Sequence, residues 1–151
     1  MTAGTIWTTH IKASPEAVFE VLGDVQNHSK WSDKSFTATK TSEGPIGVGT
    51  TYDSRGWLPG KGKEHLNHVT ITTYEPGRRF AFDAVDPDGP VVHSEYVLTP
   101  EDGGTKVDRT QSFPKPPGVQ GVLWPVLFLL VKKAVQKNLD SFKTVVESKG
   151  A

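Results

Sequence analysis

The spacing of apolar residues divides the chain into a short strand, a helix, a series of strands and a long final helix. Residues 6–12 alternate between the two faces of a half-buried strand. Ser14, Pro15 and Glu16 then supply an N-cap, a residue suited to the first helical position and a charge that favours the helix dipole. We therefore expect a helix to begin at residue 15. Its apolar positions form one stripe that must pack on another element: Ala17, Val18, Val21, Leu22 and Val25.

Six further strand-like segments follow this helix, separated by turns that contain glycine and proline. The clearest turns lie at residues 75–77, 86–90 and 101–104, and the connections leave no room for crossover helices. Strands joined by such short turns pair in antiparallel fashion. With residues 6–12 they predict a curved seven-stranded antiparallel sheet, whose other strands are residues 35–40, 49–54, 64–74, 78–85, 91–99 and 105–113.

The C-terminal region combines an apolar run with an amphipathic helix. Residues 122–131 form the run, which is about half as long as a helix that crosses a bilayer. We expect it to be a lid over a cavity mouth, buried on several sides, with Pro125 in the first helical turn and Trp124 against the sheet rim. An exposed run would instead bind lipid vesicles or a second subunit. The helix that follows has one apolar face: Phe128, Val131, Val135, Leu139, Phe142 and Val146.

Composition narrows the functions open to the chain. Its 151 residues fit one domain, residues 1–151, and 17 basic residues balance 17 acidic ones, so no overall field attracts nucleic acid. The lack of cysteine excludes disulfides and thiolate chemistry, and with a start unlike a secretory signal it favours the cytoplasm. His65 and His68 fall on opposite faces of one strand, and no H-E-x-x-H motif occurs. We expect neither a metal nor another cofactor.

Several motifs carry a resemblance to a known superfamily. The segment I-x-A-S-P-E-x-V-F-x-V-L-x-D at residues 11–24, followed by N-H-x-x-W at residues 27–31, resembles the opening of the START-like (SRPBCC) superfamily. That superfamily contains polyketide cyclases, dehydrases and lipid-transport proteins. The resemblance implies an α+β helix-grip fold of the Bet v 1 and START-like type, in which the curved sheet wraps around the C-terminal helix and two short helices follow the first strand. Because enzymes, carriers and sensors share this scaffold, the fold alone does not assign an activity.

The resemblance also implies a ligand cavity between the sheet and the C-terminal helix. A curved sheet and a straight helix separate at one end, and alternate residues of each strand face the space between them. We therefore expect a mainly apolar cavity lined by residues whose parity or helical phase points inward. The predicted ligand-binding residues are Tyr52, Phe80, Phe82, Tyr96, Leu98, Arg109, Val135, Asn138, Leu139 and Phe142.

Arg109 is the predicted cavity residue with the most distinctive chemistry. Parity places it on the same face as the inward-facing Val107, where an unpaired guanidinium is costly to bury. It either reaches solvent or a local partner, or lines the cavity and meets a carboxylate, several carbonyls or a ligand anion. Tyr96 and Asn138 are likewise open to a purely structural role or to cavity lining. In an enzyme, Arg109 and Tyr96 would be the candidate catalytic residues, acting on an enolate as its charge develops.

These observations favour binding of a small hydrophobic or amphipathic molecule, such as a lipid, a polyketide or a related metabolite. The enzyme alternative is an aromatase/cyclase or dehydratase acting on a polyketide-like substrate. A third alternative is a toxin–antitoxin partner or another protein-interaction module, which would use the start of the last helix as its contact surface. We expect no nucleic-acid partner, no stable membrane insertion, and a monomer or homodimer.

Overall fold

The computed structural model describes residues 4–31, 36–58, 62–87, 91–112 and 118–150. Its first strand, β1 (Gly4–Ile11), is followed by α1 (Pro15–Leu22) and a 3₁₀ helix (Val25–Lys30). Six strands come next: β2 (Thr37–Lys40), β3 (Thr51–Leu58), β4 (Gly62–Glu75), β5 (Arg79–Val85), β6 (Val91–Glu101) and β7 (Gly104–Ser112). They are followed by α2 (Val119–Val122) and α3 (Trp124–Gly150).

The seven strands form one sheet in the order β1-β7-β6-β5-β4-β3-β2, and all neighbouring pairs are antiparallel. The register places Phe80 opposite Tyr96 and Tyr96 opposite Arg109, so the three side chains form one row on the concave face. A shift of register between Ile71 and Thr73 marks an irregularity of the kind that bends a long strand. The predicted seven-stranded antiparallel sheet and the helix-grip architecture are confirmed.

The two short helices begin at capped positions. Ser14 Oγ accepts a hydrogen bond from the Ala17 N–H at 3.2 Å, and Pro15 occupies the first turn of α1, as predicted. The Asp24 carboxylate caps the 3₁₀ helix by accepting from the Gln26 N–H at 3.0 Å. Both helices contribute side chains to the core: Val18, Phe19, Val21, Leu22, Val25 and His28.

Gly104 allows the end of β1 to approach the start of β7. A Cβ atom at this position would overlap the Ile11 carbonyl oxygen and come within 2.9 Å of the His10 ring. Gly103, in the turn before it, has a φ of +77°, which residues with a side chain rarely adopt. This pair of glycines therefore closes the β6–β7 hairpin against β1.

α3 lies across the concave face and buries one stripe of its C-terminal half. The ring of Phe142 lies 4.7 Å from that of Trp31 and 6.4 Å from that of Tyr96, measured between centroids. Near the end of the helix the Glu147 carboxylate accepts a hydrogen bond from the Lys12 N–H at 2.9 Å, which ties α3 to the end of β1. The stripe buried by these contacts is Val135, Leu139, Phe142 and Val146.

The first half of α3 differs from the predicted lid. Pro125 lies in the first helical turn, as expected. Trp124 is half-buried, and its ring lies 5.3 Å from that of Phe128. The expectation that the whole apolar run is buried on several sides is wrong, because among its described residues Pro125 and five aliphatic side chains are exposed: Val122, Leu123, Val126, Leu129 and Leu130. In the described part of the chain, no helix combines the length and apolar character that a membrane crossing requires.

Candidate functional site

The layer between the sheet and α3 is buried at one end and only half-buried at the other, and we call these the closed end and the open end. At the closed end, beside the C-terminal half of α3, Phe80, Leu98 and Phe142 are buried. The bond between Lys12 and Glu147 sets the direction of α3, so its N-terminal half lies toward the opposite ends of the strands. Inward-facing residues there are only half-buried, and they define the open end: Phe82, Ala84, Val92 and Gln111 on the sheet, and Phe128 and Val131 on α3.

A buried histidine joins the 3₁₀ helix to the aromatic residues of the closed end. The His28 ring lies 4.6 Å from that of Trp31 and 6.1 Å from that of Phe80. Its Nε2–H donates to the Leu22 carbonyl oxygen at 3.0 Å. Burial lowers the pKa of His28 to about 4, and the nearby Arg109 charge acts in the same direction, although the bond to Leu22 opposes it. His28 is therefore neutral at pH 7.

Arg109 lies within the layer, with only 8% of its surface exposed. The guanidinium carbon is 5.2 Å from the centre of the Tyr96 ring, which is a cation–π contact. The Nε–H of Arg109 has no hydrogen-bond partner. Burial raises the pKa of Tyr96, and the Arg109 charge opposes that rise in part, so the phenol is protonated and neutral at pH 7.

Two further polar side chains face inward beside this pair. Ser94 and Gln111 lie opposite each other in the β6–β7 register, one inward pair nearer the open end than Tyr96 and Arg109. Like Arg109 Nε, Ser94 Oγ and Gln111 Oε1 are buried without a hydrogen-bond partner. Buried polar atoms of this kind are rarely left unpaired, and each costs about 1–3 kcal/mol when it is. Strand parity already places Ser94 and Gln111 inward, but sequence reasoning did not include them in the site.

The predicted binding residues do not all lie at one place. Tyr52 is buried on β3, with β4 and β5 between it and the Tyr96 strand. Its hydroxyl makes no hydrogen bond of regular geometry; burial, reinforced by the Asp24 carboxylate, raises the pKa of Tyr52 to about 12. Phe82 and Asn138 are half-buried. The remaining members are buried between the sheet and α3: Phe80, Tyr96, Leu98, Arg109, Val135, Leu139 and Phe142.

The aromatic residues of the closed end are in contact with one another. The Tyr96 ring lies 6.4 Å from the rings of both Phe80 and Phe142. These side chains therefore form part of the core where a cavity was expected. The inward-facing residues of the open end, in contrast, are only half-buried and keep part of their surface exposed.

Two surface concavities lie outside this layer. One, of about 230 Å³, is on the convex face of the sheet, and it includes Asp83 and His93, whose Oδ1 and Nδ1 atoms are 2.5 Å apart. The other, of about 360 Å³, lies between α1 and the end of α3, beside Val21 and Val146. Neither contains a residue of the predicted binding set, although Ser94 also borders the concavity on the convex face. Among the described residues, no group of three or more His, Asp or Glu side chains is arranged to hold a metal ion.

A protein-family model matches most of the chain. The model described as "Polyketide cyclase / dehydrase and lipid transport" matches residues 7–147. The chain belongs to this family. The resemblance to the START-like superfamily is thereby confirmed. Among curated proteins, none matches the chain.

Solved structures share the fold of this polyketide cyclase and lipid-transport family member at low sequence identity. The Zhui aromatase/cyclase from Streptomyces sp. R1128 has a TM-score of 0.79 and 16% identity, over 100% of this chain and 97% of that chain. TTHA0849 from Thermus thermophilus has a TM-score of 0.75 and 19% identity, over 99% and 100%. Ara h 8.0201 has a TM-score of 0.71 and 15% identity, over 98% and 99%. At these identities the likeness concerns the fold alone.

Proposed function

We propose that the chain binds a small amphipathic molecule at the open end of the layer, with its polar group next to Arg109. The observation that carries the proposal is the set of three buried, unpartnered polar atoms on Ser94, Arg109 and Gln111. The Arg109 and Ser94 groups can donate a hydrogen bond, and the Gln111 oxygen can accept one. Ligand oxygen atoms would accept hydrogen bonds from Arg109 and Ser94, and a ligand that also carries a hydroxyl would donate one to Gln111.

The surroundings of these atoms suit the apolar part of such a molecule. Phe82, on the sheet, and Phe128 and Val131, on α3, are half-buried and apolar. A chain or ring system placed between them would remove apolar surface from water on both sides, which contributes about 25 cal/mol for each Å² buried. The site therefore has an apolar wall and a few polar groups, as small-molecule sites commonly do.

The positive charge of Arg109 favours a ligand whose polar group has an anionic or strongly polarised oxygen. Arg109 keeps its positive charge when buried, whereas His28 and Tyr96 are neutral at pH 7 and supply no charge of their own. A carboxylate, an enolate or a conjugated carbonyl would hydrogen-bond this guanidinium, and a cation would be repelled. The ligand class that fits is thus an acidic lipid, a polyketide or a related metabolite.

The contact between Arg109 and Tyr96 also favours a second candidate, a cyclase or dehydratase acting on a polyketide-like chain. The guanidinium could stabilise an enolate oxygen as it forms, and the protonated phenol could donate a hydrogen bond to a neighbouring carbonyl. The Zhui structure is that of an aromatase/cyclase, which supports this alternative at the level of the fold. Conversion of a β-polyketone by the wild type, lost in Arg109→Met, would distinguish the enzyme from a carrier.

A paired titration tests the binding proposal. The fluorescent fatty acid cis-parinaric acid has a charged carboxylate, whereas its methyl ester keeps the same hydrocarbon chain and has a neutral polar end with an added methyl group. We expect the acid to bind wild type at least about tenfold more tightly than Arg109→Met, because a hydrogen bond to a charged group contributes about 1.5–3 kcal/mol. The ester should bind both proteins with similar affinity.

The control is Arg78→Met, which removes an arginine whose side chain is exposed at the surface. Circular dichroism at the start of each titration establishes that the variants are folded. Equal affinity of the acid for wild type and Arg109→Met would contradict the proposed role of Arg109. Absence of binding to all three proteins would contradict the choice of an acidic lipid.

A further inference from the structure

The solvent-facing side of the first half of α3 is apolar. Val126 and Leu130 each expose 64% of their surface, and Leu129 exposes 58%. At 3.6 residues per turn, Val126 lies about half a turn away from Val135, which faces the core. The sheet therefore cannot cover this surface. With Val122 and Leu123 just before α3, these residues form what we call the apolar tip.

The charge near the apolar tip has one sign. Residues 118–139 contain Lys132, Lys133 and Lys137 but no Asp or Glu, although the whole chain has equal numbers of basic and acidic residues. All three lysines are exposed. The one strongly apolar part of the described surface of α3 thus adjoins a local cluster of positive charge.

The apolar tip and the lysines follow one another along the same side of α3. Lys133 and Lys137 come seven residues after Val126 and Leu130 respectively, so each lies nearly in line with its apolar counterpart, about 10 Å along the helix. Amphipathic segments at a membrane surface bury their apolar side chains about 5–10 Å deep. At that depth, the lysine ammonium groups would reach the lipid phosphates.

We infer that the apolar tip docks on the surface of an anionic lipid bilayer. Aliphatic side chains would enter the interface, and Lys133 and Lys137 would pair with lipid phosphates, each contributing about 1 kcal/mol near an anionic surface. Five aliphatic side chains, each already partly covered, supply less than the roughly 800 Å² per partner of a standard protein interface. A bilayer requires no matching partner surface, and its anionic lipids attract the lysines. In a dimer formed through the same patch, the lysines of the two copies would repel each other.

Docking at this position would bring the open end of the layer to the membrane. Phe128 and Val131 of the open end lie on the same helical segment as the apolar tip. An amphipathic ligand could then pass between the bilayer and the protein without crossing water. This consequence rests on the proposed function, whereas docking itself rests only on the exposed residues and the lysines.

Co-sedimentation with vesicles tests the inference at physiological ionic strength. Wild type should sediment with vesicles of mixed phosphatidylcholine and phosphatidylglycerol and sediment far less with phosphatidylcholine alone. Two double variants should each bind the mixed vesicles at least about tenfold more weakly than wild type. They are Val126→Ser/Leu130→Ser and Lys133→Gln/Lys137→Gln. Matched controls should bind as wild type does: Ile6→Ser/Val48→Ser changes exposed apolar residues elsewhere, and Lys30→Gln/Lys149→Gln removes two other exposed lysines.

Three results would overturn docking on an anionic bilayer. The first is that folded wild type does not bind vesicles, and the second is that it binds both vesicle types equally. The third is that wild type binds no vesicles but is a dimer in multi-angle light scattering, which Val126→Ser/Leu130→Ser converts to a monomer. Arg109→Met separates this inference from the proposed function. It should sediment with mixed vesicles as wild type does, even if its affinity for cis-parinaric acid is lost.

Discussion

The two halves of α3 are parts of one helix, but they have opposite surroundings. The C-terminal half packs Leu139, Phe142 and Val146 against the sheet and the short helices, so its apolar stripe is covered. The N-terminal half leaves Val126 and Leu130 in solvent, and its inward-facing Val131 is only half-buried. The helix therefore stabilises the fold with one half and presents apolar surface with the other.

The same division appears across the sheet. Phe80 and Tyr96 are buried beside the C-terminal half of α3, whereas Phe82 and Gln111 are half-buried at the other end. Arg109 lies at the boundary, in cation–π contact with a core residue and with an Nε–H that has no partner. We therefore expect substitutions at the closed end to change stability and substitutions at the boundary to change binding.

Phe142→Ala should have the largest effect on stability. Its ring contacts Trp31 and Tyr96, so its removal should lower the free energy of unfolding by about 3–5 kcal/mol through lost burial and a residual cavity. Val131→Ala, on the same side of α3 but half-buried, should cost only about 1 kcal/mol. Urea titrations of both variants measure the difference, and equal losses would show that the two halves of α3 are packed alike.

The pH dependence of stability should reveal the buried histidine of the closed end. Because the pKa of His28 is lowered to about 4 in the fold, the unfolded chain binds its proton first as the pH falls below about 6.5. The neutral His28 therefore contributes its full stabilisation above that pH. Between pH 7.5 and pH 5, the free energy of unfolding should fall by about 2 kcal/mol.

Urea midpoints at the two pH values measure the loss, and His28→Gln separates it from the titration of carboxylates. The variant should lose about 2 kcal/mol less than wild type over the same interval. If wild type and His28→Gln show the same pH dependence, His28 becomes protonated in the folded protein over this interval. Water would then reach the closed end more than the burial of His28 indicates.

Ser14→Ala should have a smaller effect on the closed end. It removes the hydrogen bond that the Ala17 N–H donates to Ser14 Oγ at the start of α1, and loss of such a cap costs about 1 kcal/mol. Thermal unfolding monitored by circular dichroism gives the change. Ser14→Asp, which keeps an acceptor at the cap, should restore most of the loss.

Arg109→Met should change stability least of all. Its guanidinium is buried with an unpartnered Nε–H, and replacing a buried charge by an apolar side chain of similar length is often neutral or stabilising. We expect an unfolding free energy within about 1 kcal/mol of wild type, in the same urea assay. A loss comparable with that of Phe142→Ala would assign Arg109 to the core and remove the reason to place a ligand beside it.

Local rules predict much of this fold. Turn residues separate the strands, Ser14 and Pro15 mark the start of α1, and parity places Phe80, Tyr96 and Arg109 on one face, as the register shows. These features depend on neighbours in sequence or on the two-residue period of a strand.

Other features depend on where distant elements meet. The apolar run of residues 122–131 has the same pattern whether it is covered or exposed, so composition alone could not show that Val126 and Leu130 face solvent. The missing partners of Ser94 and Gln111 likewise follow from pairing across β6 and β7 and from the position of α3. Parity predicts which residues face inward, but it does not predict which of them α3 covers.

The most direct test of the account is to map where a ligand contacts the protein. In a titration of ¹⁵N-labelled protein with cis-parinaric acid, amide resonances of Phe82, Gln111 and Val131 should shift together and saturate. Those of Thr72 and Thr73, beside the concavity on the convex face, should stay unchanged. Shifts confined to the convex face or to the apolar tip, with none at Phe82 and Gln111, would contradict binding at the open end of the layer.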